Sequence, residues 1–534
     1  MSAAPERRVR PRAALLLLGA LVLVALALRL PSFSGALWGD ELATNFVVHG
    51  FGVAEFGWLL THGKEATPPL FFVLAWLTKG LGGPEGLRLV SLLAGLASIP
   101  MTYLVGLETV GRRAGAVGAV LVALSPFQIF YSTEARAYEL LMLTCLLATY
   151  ALLRAIATRR TAWWVGYGVS VAVAMYTHYV AVFILIGLFI WAFWAHPEVR
   201  RPVLAANAGA TLLFAAWIPE FIDATGKQAA KNIELLHPLT LDHAVTDLLR
   251  MWFGQPLLEL ADLPGRVALA LSAVALVLGT LGLLLRASRE GRWWPPPGGV
   301  ALVIALALAT PLGVVLHNVV APSIFTPRNL IPSWPGFALA LGALVTAGTV
   351  PIRTAATALL IAGYGIGAAQ MLEGDNRRGD YEAVASFIER TGDPGSPVVD
   401  LPQFAPGPQM SMEAALAPDD EATPGDRSVY ELGLPPLQQR LEDARNGVSF
   451  SEAGPPAPPR RIAAAAAAMA GDGMLFVVGP AARLDQVRAL PGPLGAFLAA
   501  LPPRFHEVQS RTFEGPSIFG IGVFVLSGEP APRP

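Results

Sequence analysis

Two adjacent carboxylates follow the first long apolar run, in Trp38-Gly39-Asp40-Glu41. Carboxylates at a membrane boundary are costly unless water, a cation or a substrate contacts them. One reading makes Asp40 or Glu41 a general base facing a cleft. The other makes Asp40 the N-cap of a short helix over 41–48. Glu134-Ala135-Arg136-Ala137-Tyr138 lies at the end of another span pair, with Glu134 and Tyr138 on one helix face at i, i+4 spacing. Arg136 has the fork that holds a phosphate, and equally the length to be an interfacial ion-pair partner. Arg328, in Pro327-Arg328-Asn329-Leu330, is a second candidate phosphate contact with the alternative of a plain interfacial anchor. His178, in Tyr176-Thr177-His178-Tyr179, reads as a ligand contact or as a structural imidazole. Lys64, Lys227 and Lys231 add positive loop charge.

The elements that must position these groups are apolar helices. Of 534 residues, 54% are hydrophobic and only 14% charged. An ordinary soluble protein carries about 25% charged residues. The mean hydropathy is +0.53, so the composition is that of a polytopic membrane protein. Runs long enough to cross are 13–30, 87–107, 114–131, 137–157, 162–176, 178–195, 203–220, 267–285, 298–316, 331–347 and 354–371. The segment Thr67–Gly82, which begins TPPLFF, is shorter and ambiguous.

Charge placement settles its role and sets an expected topology. Basic clusters lie at Arg112-Arg113, Arg154/Arg159/Arg160, Arg200-Arg201, Arg286/Arg289/Arg292 and Arg353. If 67–82 does not cross, all of them fall on the cytoplasmic side, together with Arg7, Arg8, Arg10 and Arg12. The expectation is eleven spans with the N-terminus cytoplasmic, and a juxtamembrane or re-entrant helix at 67–82. The first span then reads as a retained signal anchor rather than a cleaved signal peptide. Outer loops at 31–86, 131–136, 221–266 and 317–330 collect the candidates above, except Tyr138 at the outer end of its span and His178 at the outer turn between two spans.

From Gly374 onward there are 13 Arg, no Lys and 20 acidic residues, a net −7, so the remainder carries +6. The chain therefore divides into a membrane part, 1–373, and an acidic extracytoplasmic part, 374–534. Asp380–Arg390 has helical spacing, while Val398–Leu401, Met474–Val478, Phe505–Phe513 and Ile518–Leu526 read as strands. A small α/β domain with a Pro-rich, partly disordered insert over 403–460 is expected. No basic patch with interleaved aromatics and no C-x-x-C pair occurs, so the sequence gives nucleic-acid binding and a cysteine zinc site little support. Cys145 is the single cysteine.

Five motifs in order carry a resemblance. They are Trp38-Gly39-Asp40-Glu41, Pro68-Pro69-Leu70, Gly86-Leu87-Arg88-Leu89-Val90-Ser91, Gly111-Arg112-Arg113 and Leu124–Tyr138. The chain resembles glycosyltransferase family 39 type proteins, such as the protein O-mannosyltransferases and the lipid A aminoarabinose transferases. The likeness is strong over 31–180 and returns at Pro327–Pro332. It implies the GT-C fold and a sugar donor linked through one phosphate to a polyprenol in the membrane lipid. It also implies an acceptor of unknown kind (glycan, lipid or protein) entering from the outer face. Asp40 matches the family's acidic residue in the first outer loop and would be the base, with Glu41 beside it. Arg136, Arg328 and Lys64 would hold the donor phosphate. Glu134, Tyr138, His178, Pro68 and Pro69 would line the substrate site. Relatives often have His or Lys just before the Pro-Pro pair, where this chain has Thr67.

The implied chemistry suits the residues. Attack at an anomeric carbon needs a base for the incoming group and positive charge for the departing phosphate. A phosphate leaving group needs no protonation, so one carboxylate plus cations suffices, and inversion is expected. No cofactor is required, although Asp40 and Glu41 are hard oxygen ligands that a divalent metal accepts. The alternative is a transporter or flippase of a lipid-linked sugar, which calls for charges along a through-pathway and pseudo-symmetric halves. A membrane scaffold displaying the acidic tail is a third reading, and it leaves the carboxylates unexplained.

Overall fold

The computed structural model describes residues 11–49, 67–225, 239–290, 297–393, 395–401, 415–416, 429–432, 439, 457–489, 491–513 and 521–528. Lys64, Lys227, Lys231, Arg7, Arg8, Arg10 and most of 403–460 lie outside them.

Each apolar run is helical, the arrangement that satisfies backbone groups where no water reaches them. The first helices are α1 (Pro11–Phe33), α2 (Asp40–His49), α3 (Leu70–Thr78), α4 (Gly83–Thr109), α5 (Arg112–Leu124) and α6 (Pro126–Tyr131). Next come α7 (Tyr138–Thr158), α8 (Thr161–Thr177), α9 (Ala181–Ala195), α10 (Arg200–Phe214), α11 (Ile218–Thr225) and α12 (Leu241–Phe253). The helical part ends with α13 (Arg266–Glu290), α14 (Pro297–His317), α15 (Trp334–Thr346) and α16 (Val350–Gln370).

Among the described residues, eight helical segments are long and apolar enough to cross a membrane. The protein is thus a multi-pass membrane protein. The other three expected spans fall on α5, α8 and α9, with 13, 17 and 15 residues. Helix length and composition alone thus pick out eight of the eleven expected crossings. The run 114–131 is not one helix. Ser125 leaves helical geometry at ψ 124° and its hydroxyl accepts from Gln128 N, so Pro126 opens a new helix, α6. Pro at a first helical position gives up no intrahelical bond there. The run 162–195 does break where expected: α8 ends at Thr177, and His178 is extended.

The helices alternate so that two sets of connectors form. One end is marked by Arg154 donating to Glu108 at 2.9 Å and Arg159 to Glu198 at 2.8 Å. The opposite end gathers Asp40, the turn 132–137, His178 and Arg328. α1 is tied to that end by Arg29, which donates through Nε to Ser132 Oγ at 2.7 Å and through Nη1 to Ala123 O at 3.1 Å. A guanidinium inside the bilayer must be bonded in this way. α4 and α5 touch backbone to backbone, since a Cβ on Gly106 would collide with Gly115 Cα. Small residues permit such approach between membrane helices.

Beyond α16 the chain forms α17 (Tyr381–Thr391), capped by Asp380 Oδ1 accepting from Ala383 N at 2.9 Å. The strands β1 (Val398–Asp400), β2 (Val429–Glu431), β3 (Met474–Pro480), β4 (His506–Phe513) and β5 (Ile521–Ser527) form one sheet of order β2-β1-β3-β5-β4. β1 pairs parallel with β2 and β3, and β5 pairs antiparallel with β3 and β4. Alternation along β3 sorts the faces. Phe476 and Val478 pack with α17 and join the core of the helical part, while Leu475 and Val477 pack on Ala463 and Ala466. The alanine run 463–468 lies within a helix, α18 (Pro459–Ala470). β2 falls within the insert expected to be disordered, and three residues are too few to signal a strand.

Candidate active site

Gly39, at φ +57°, turns the chain into α2. Asp40 and Glu41 occupy its first turn, where carboxylates oppose the positive end of the helix dipole. Consecutive helical positions point about 100° apart, and the two carboxylates take different guanidinium partners. Glu41 is fully buried. Its Oε1 accepts from Arg88 Nε at 2.7 Å and from Ala135 N at 2.8 Å. Its Oε2 accepts from Arg88 Nη2 at 2.6 Å and Trp38 N at 3.2 Å. Arg88 spends its other donors on Phe33 O and Ala36 O, both at 2.9 Å. Burial pushes the Glu41 carboxyl up, but Arg88, Arg378 and these hydrogen bonds outweigh it and hold it below the usual range.

Asp40 is 21% exposed and forms an ion pair with Arg328, itself 31% exposed. Burial again pushes the carboxyl up. Arg328 and Arg136 outweigh that and hold it below the ordinary value. Arg328 stands in the short 3-10 helix Pro327–Ser333 that precedes α15. The pair is polar, partly open and at the connector end of the helices.

The turn Ser132–Ala137 between α6 and α7 is held from several sides. Thr44 Oγ1 donates to Ala135 O at 2.8 Å, and Ser91 Oγ to Arg136 O at 2.9 Å. Arg136 N donates to Glu134 O at 2.7 Å, closing a three-residue turn. The Arg136 guanidinium reaches Thr44 Oγ1 at 3.5 Å and Thr67 Oγ1 at 3.4 Å, and lies 5.9 Å from the Phe72 ring. Glu134 is 6% exposed, and its Oε2 has no hydrogen-bond partner among the described residues. Burial pushes its carboxyl up to about 7; Asp40 and Glu41 add to the rise, while Arg378 and Arg328 oppose it.

Aromatic groups close one side. The Tyr131 and Tyr138 rings are 5.4 Å apart, and Tyr138 and His178 5.9 Å. His178 Nδ1 accepts from Val180 N at 3.3 Å. Burial, then Arg136 and Arg328, push the imidazole down to about 3, so it is neutral at physiological pH. Pro68 and Pro69 lead into α3, whose Phe71 and Phe72 are buried.

The structure therefore brings together Asp40, Arg328, Arg136, Glu134, Tyr138 and His178, with Thr67, Pro68 and Pro69 beside Arg136. It sets Glu41 apart, with both oxygens bonded. Lys64 lies outside the described residues. Among the described residues no three His, Cys, Asp or Glu side chains lie together. Asp40 and Glu41 pair with different guanidinium groups, Arg328 and Arg88. Sequence reasoning missed Arg88 and Arg378. Arg88 stood within Gly86–Ser91, where only its family motif was read. Arg378 lies far along the chain, in a segment with no local signal of this site.

Residues 66–222 match the family model described as dolichyl-phosphate-mannose-protein mannosyltransferase. No curated protein matches the chain by sequence. Among solved structures, ArnT from Cupriavidus metallidurans bound to undecaprenyl phosphate is similar, with TM-score 0.54 and 12% identity over 98% of this chain and 100% of that one. The apo form of the same protein gives TM-score 0.54 and 12% identity, over 98% of this chain and 99% of that one. The chain thus carries a match to the mannosyltransferase family model over 66–222 and shares its fold with ArnT over nearly its whole length.

Proposed function

We propose that the enzyme moves a sugar from a polyprenyl-phosphate donor to a hydroxyl or amine acceptor, with inversion. The observation that carries this reading is the partly open Asp40–Arg328 pair with Arg136 beside it. A donor phosphate presents the same chemistry to Arg328 as the Asp40 carboxylate does. Phosphate arriving at Arg328 and Arg136 competes for that guanidinium and frees Asp40 toward the acceptor. The acceptor oxygen or nitrogen then bonds to the anomeric carbon, and the bond from that carbon to the phosphate oxygen breaks. Asp40 takes the acceptor proton, and polyprenyl phosphate departs as an anion held by the two arginines. Displacement from the opposite face inverts the anomeric centre. His178, being neutral, adds no competing charge. The undecaprenyl phosphate bound by ArnT supports a polyprenyl phosphate as donor carrier.

Sidedness follows from charge. The basic connectors belong in the cytoplasm, which puts the site and the acidic C-terminal part on the extracytoplasmic face of the cell membrane. Purified enzyme is to be incubated with a panel of radiolabelled polyprenyl-phosphate sugars and candidate glycan, lipid and peptide acceptors. The reading expects one donor to be consumed and its anomeric configuration inverted in the product by NMR. Retention of configuration, or no consumption of any donor by folded protein, overturns it.

A further inference from the structure

Arg378 belongs to the segment that follows α16, remote in sequence from every other group in the site. Its Nη1 donates to Thr133 O at 3.0 Å and Thr133 Oγ1 at 3.2 Å, and its Nη2 to Phe130 O at 3.0 Å. The guanidinium lies 4.2 Å from the Phe130 ring centre. It therefore grips the end of α6 and the turn that carries Glu134. Among the site's carboxylates Asp40 has Arg328 and Glu41 has Arg88, whereas no ion pair to Glu134 occurs among the described residues. Arg378 is instead the foremost cation acting on Glu134, and its own Nε is buried without a partner among the described residues. Glu134 is nine-tenths buried with an unbonded oxygen in the same place.

We propose that Arg378 is a positioning residue of the transfer site, holding the Glu134 turn in place against the cations that receive the donor phosphate. The proposal rests on the transferase reading above. The groups facing Glu134 are Asp40 and Glu41 from α2, Tyr131 from α6, Tyr138 from α7, Arg328 from the turn before α15, and Arg378 itself. A neutral Glu134 leaves the positive field of Arg328 and Arg136 intact. An ionised one adds negative charge where the phosphate must sit, so donor binding weakens as pH rises through about 7. Removing Arg378 removes the cation that favours ionisation, which moves that transition to higher pH.

The test uses full-length Arg378→Met, Arg378→Lys, Glu134→Gln and the double variant Arg378→Met/Glu134→Gln. Turnover and donor KM are followed from mildly acidic to mildly alkaline pH. The donor is a phosphodiester and does not titrate in that range. Wild type is expected to show donor KM rising through about pH 7. Arg378→Met should lose on the order of 10²-fold in kcat, the scale of a small misplacement of reacting groups, and its KM transition should move alkaline. Arg378→Lys should keep the wild-type transition while still losing rate, because charge remains and the fork is gone. Glu134→Gln should abolish the transition in both backgrounds. Wild-type rate and transition in Arg378→Met overturn the proposal. If that variant fails to fold, an unimpaired rate in Arg378→Lys overturns it. If wild type transfers no sugar, the transferase reading fails first. The positioning claim is then read by hydrogen exchange over Phe130–Arg136, expected to be faster in Arg378→Lys than in Arg377→Lys, and equal exchange refutes it.

Discussion

Asp40 and Glu41 are neighbours in sequence with opposite assignments in space. Glu41 spends both oxygens on Arg88 and two backbone amides, in a fully buried position. That makes it a strut between α2, α4 and the 132–137 turn. Breaking one half of a buried ion pair leaves an uncompensated charge, at a cost of about 3–5 kcal/mol. Glu41→Gln is therefore expected to lower the Tm in detergent and the yield of monodisperse protein, while the folded fraction keeps donor affinity. A full-stability variant with lost donor binding would place Glu41 in the substrate site instead. Sequence could name the carboxylate pair but not its division of labour. That division depends on Arg88, 47 positions away from Glu41, and on the angle between successive helical side chains.

At the scale of elements, the apolar runs were legible because hydropathy reports burial in lipid directly. Every expected span coincides with helix. What periodicity could not show was the interruption at Ser125-Pro126, where a cap and a proline split one run into α5 and α6. That break has a consequence for the site, since α6 ends at Tyr131 and delivers the turn bearing Glu134 and Arg136. The strands were legible wherever β-branched and aromatic residues clustered, as in β3 and β5. β2 was not, being three residues long amid a Pro-rich stretch. The alanine run gave no hint of packing, because small side chains signal neither face. In α18 it is the sheet that decides, burying Ala463, Ala466 and Ala467.

For the whole molecule, the arrangement places all the site's charges at one end of the helices and the basic connectors at the other. Cysteines at exposed positions of the two ends test the proposed orientation. Ser510→Cys, on β4, should react with an impermeant maleimide in intact cells, and Thr161→Cys, at the start of α8, only after permeabilisation. The opposite pattern would put the site on the cytoplasmic face. The acidic C-terminal part is joined to the helices by a shared core and by Arg378, so it packs onto the part that carries the candidate site rather than hanging from it. The central claim remains that Asp40 accepts the acceptor's proton once the donor phosphate has taken Arg328. Asp40→Asn is nearly isosteric and removes that acceptor while leaving both arginines. Single-turnover transfer and donor affinity measured together on this variant test the claim most directly. The account predicts turnover lower by about 10²–10⁴-fold, with donor affinity kept or tightened because the competing carboxylate is gone. Turnover near that of wild type in folded Asp40→Asn would contradict it.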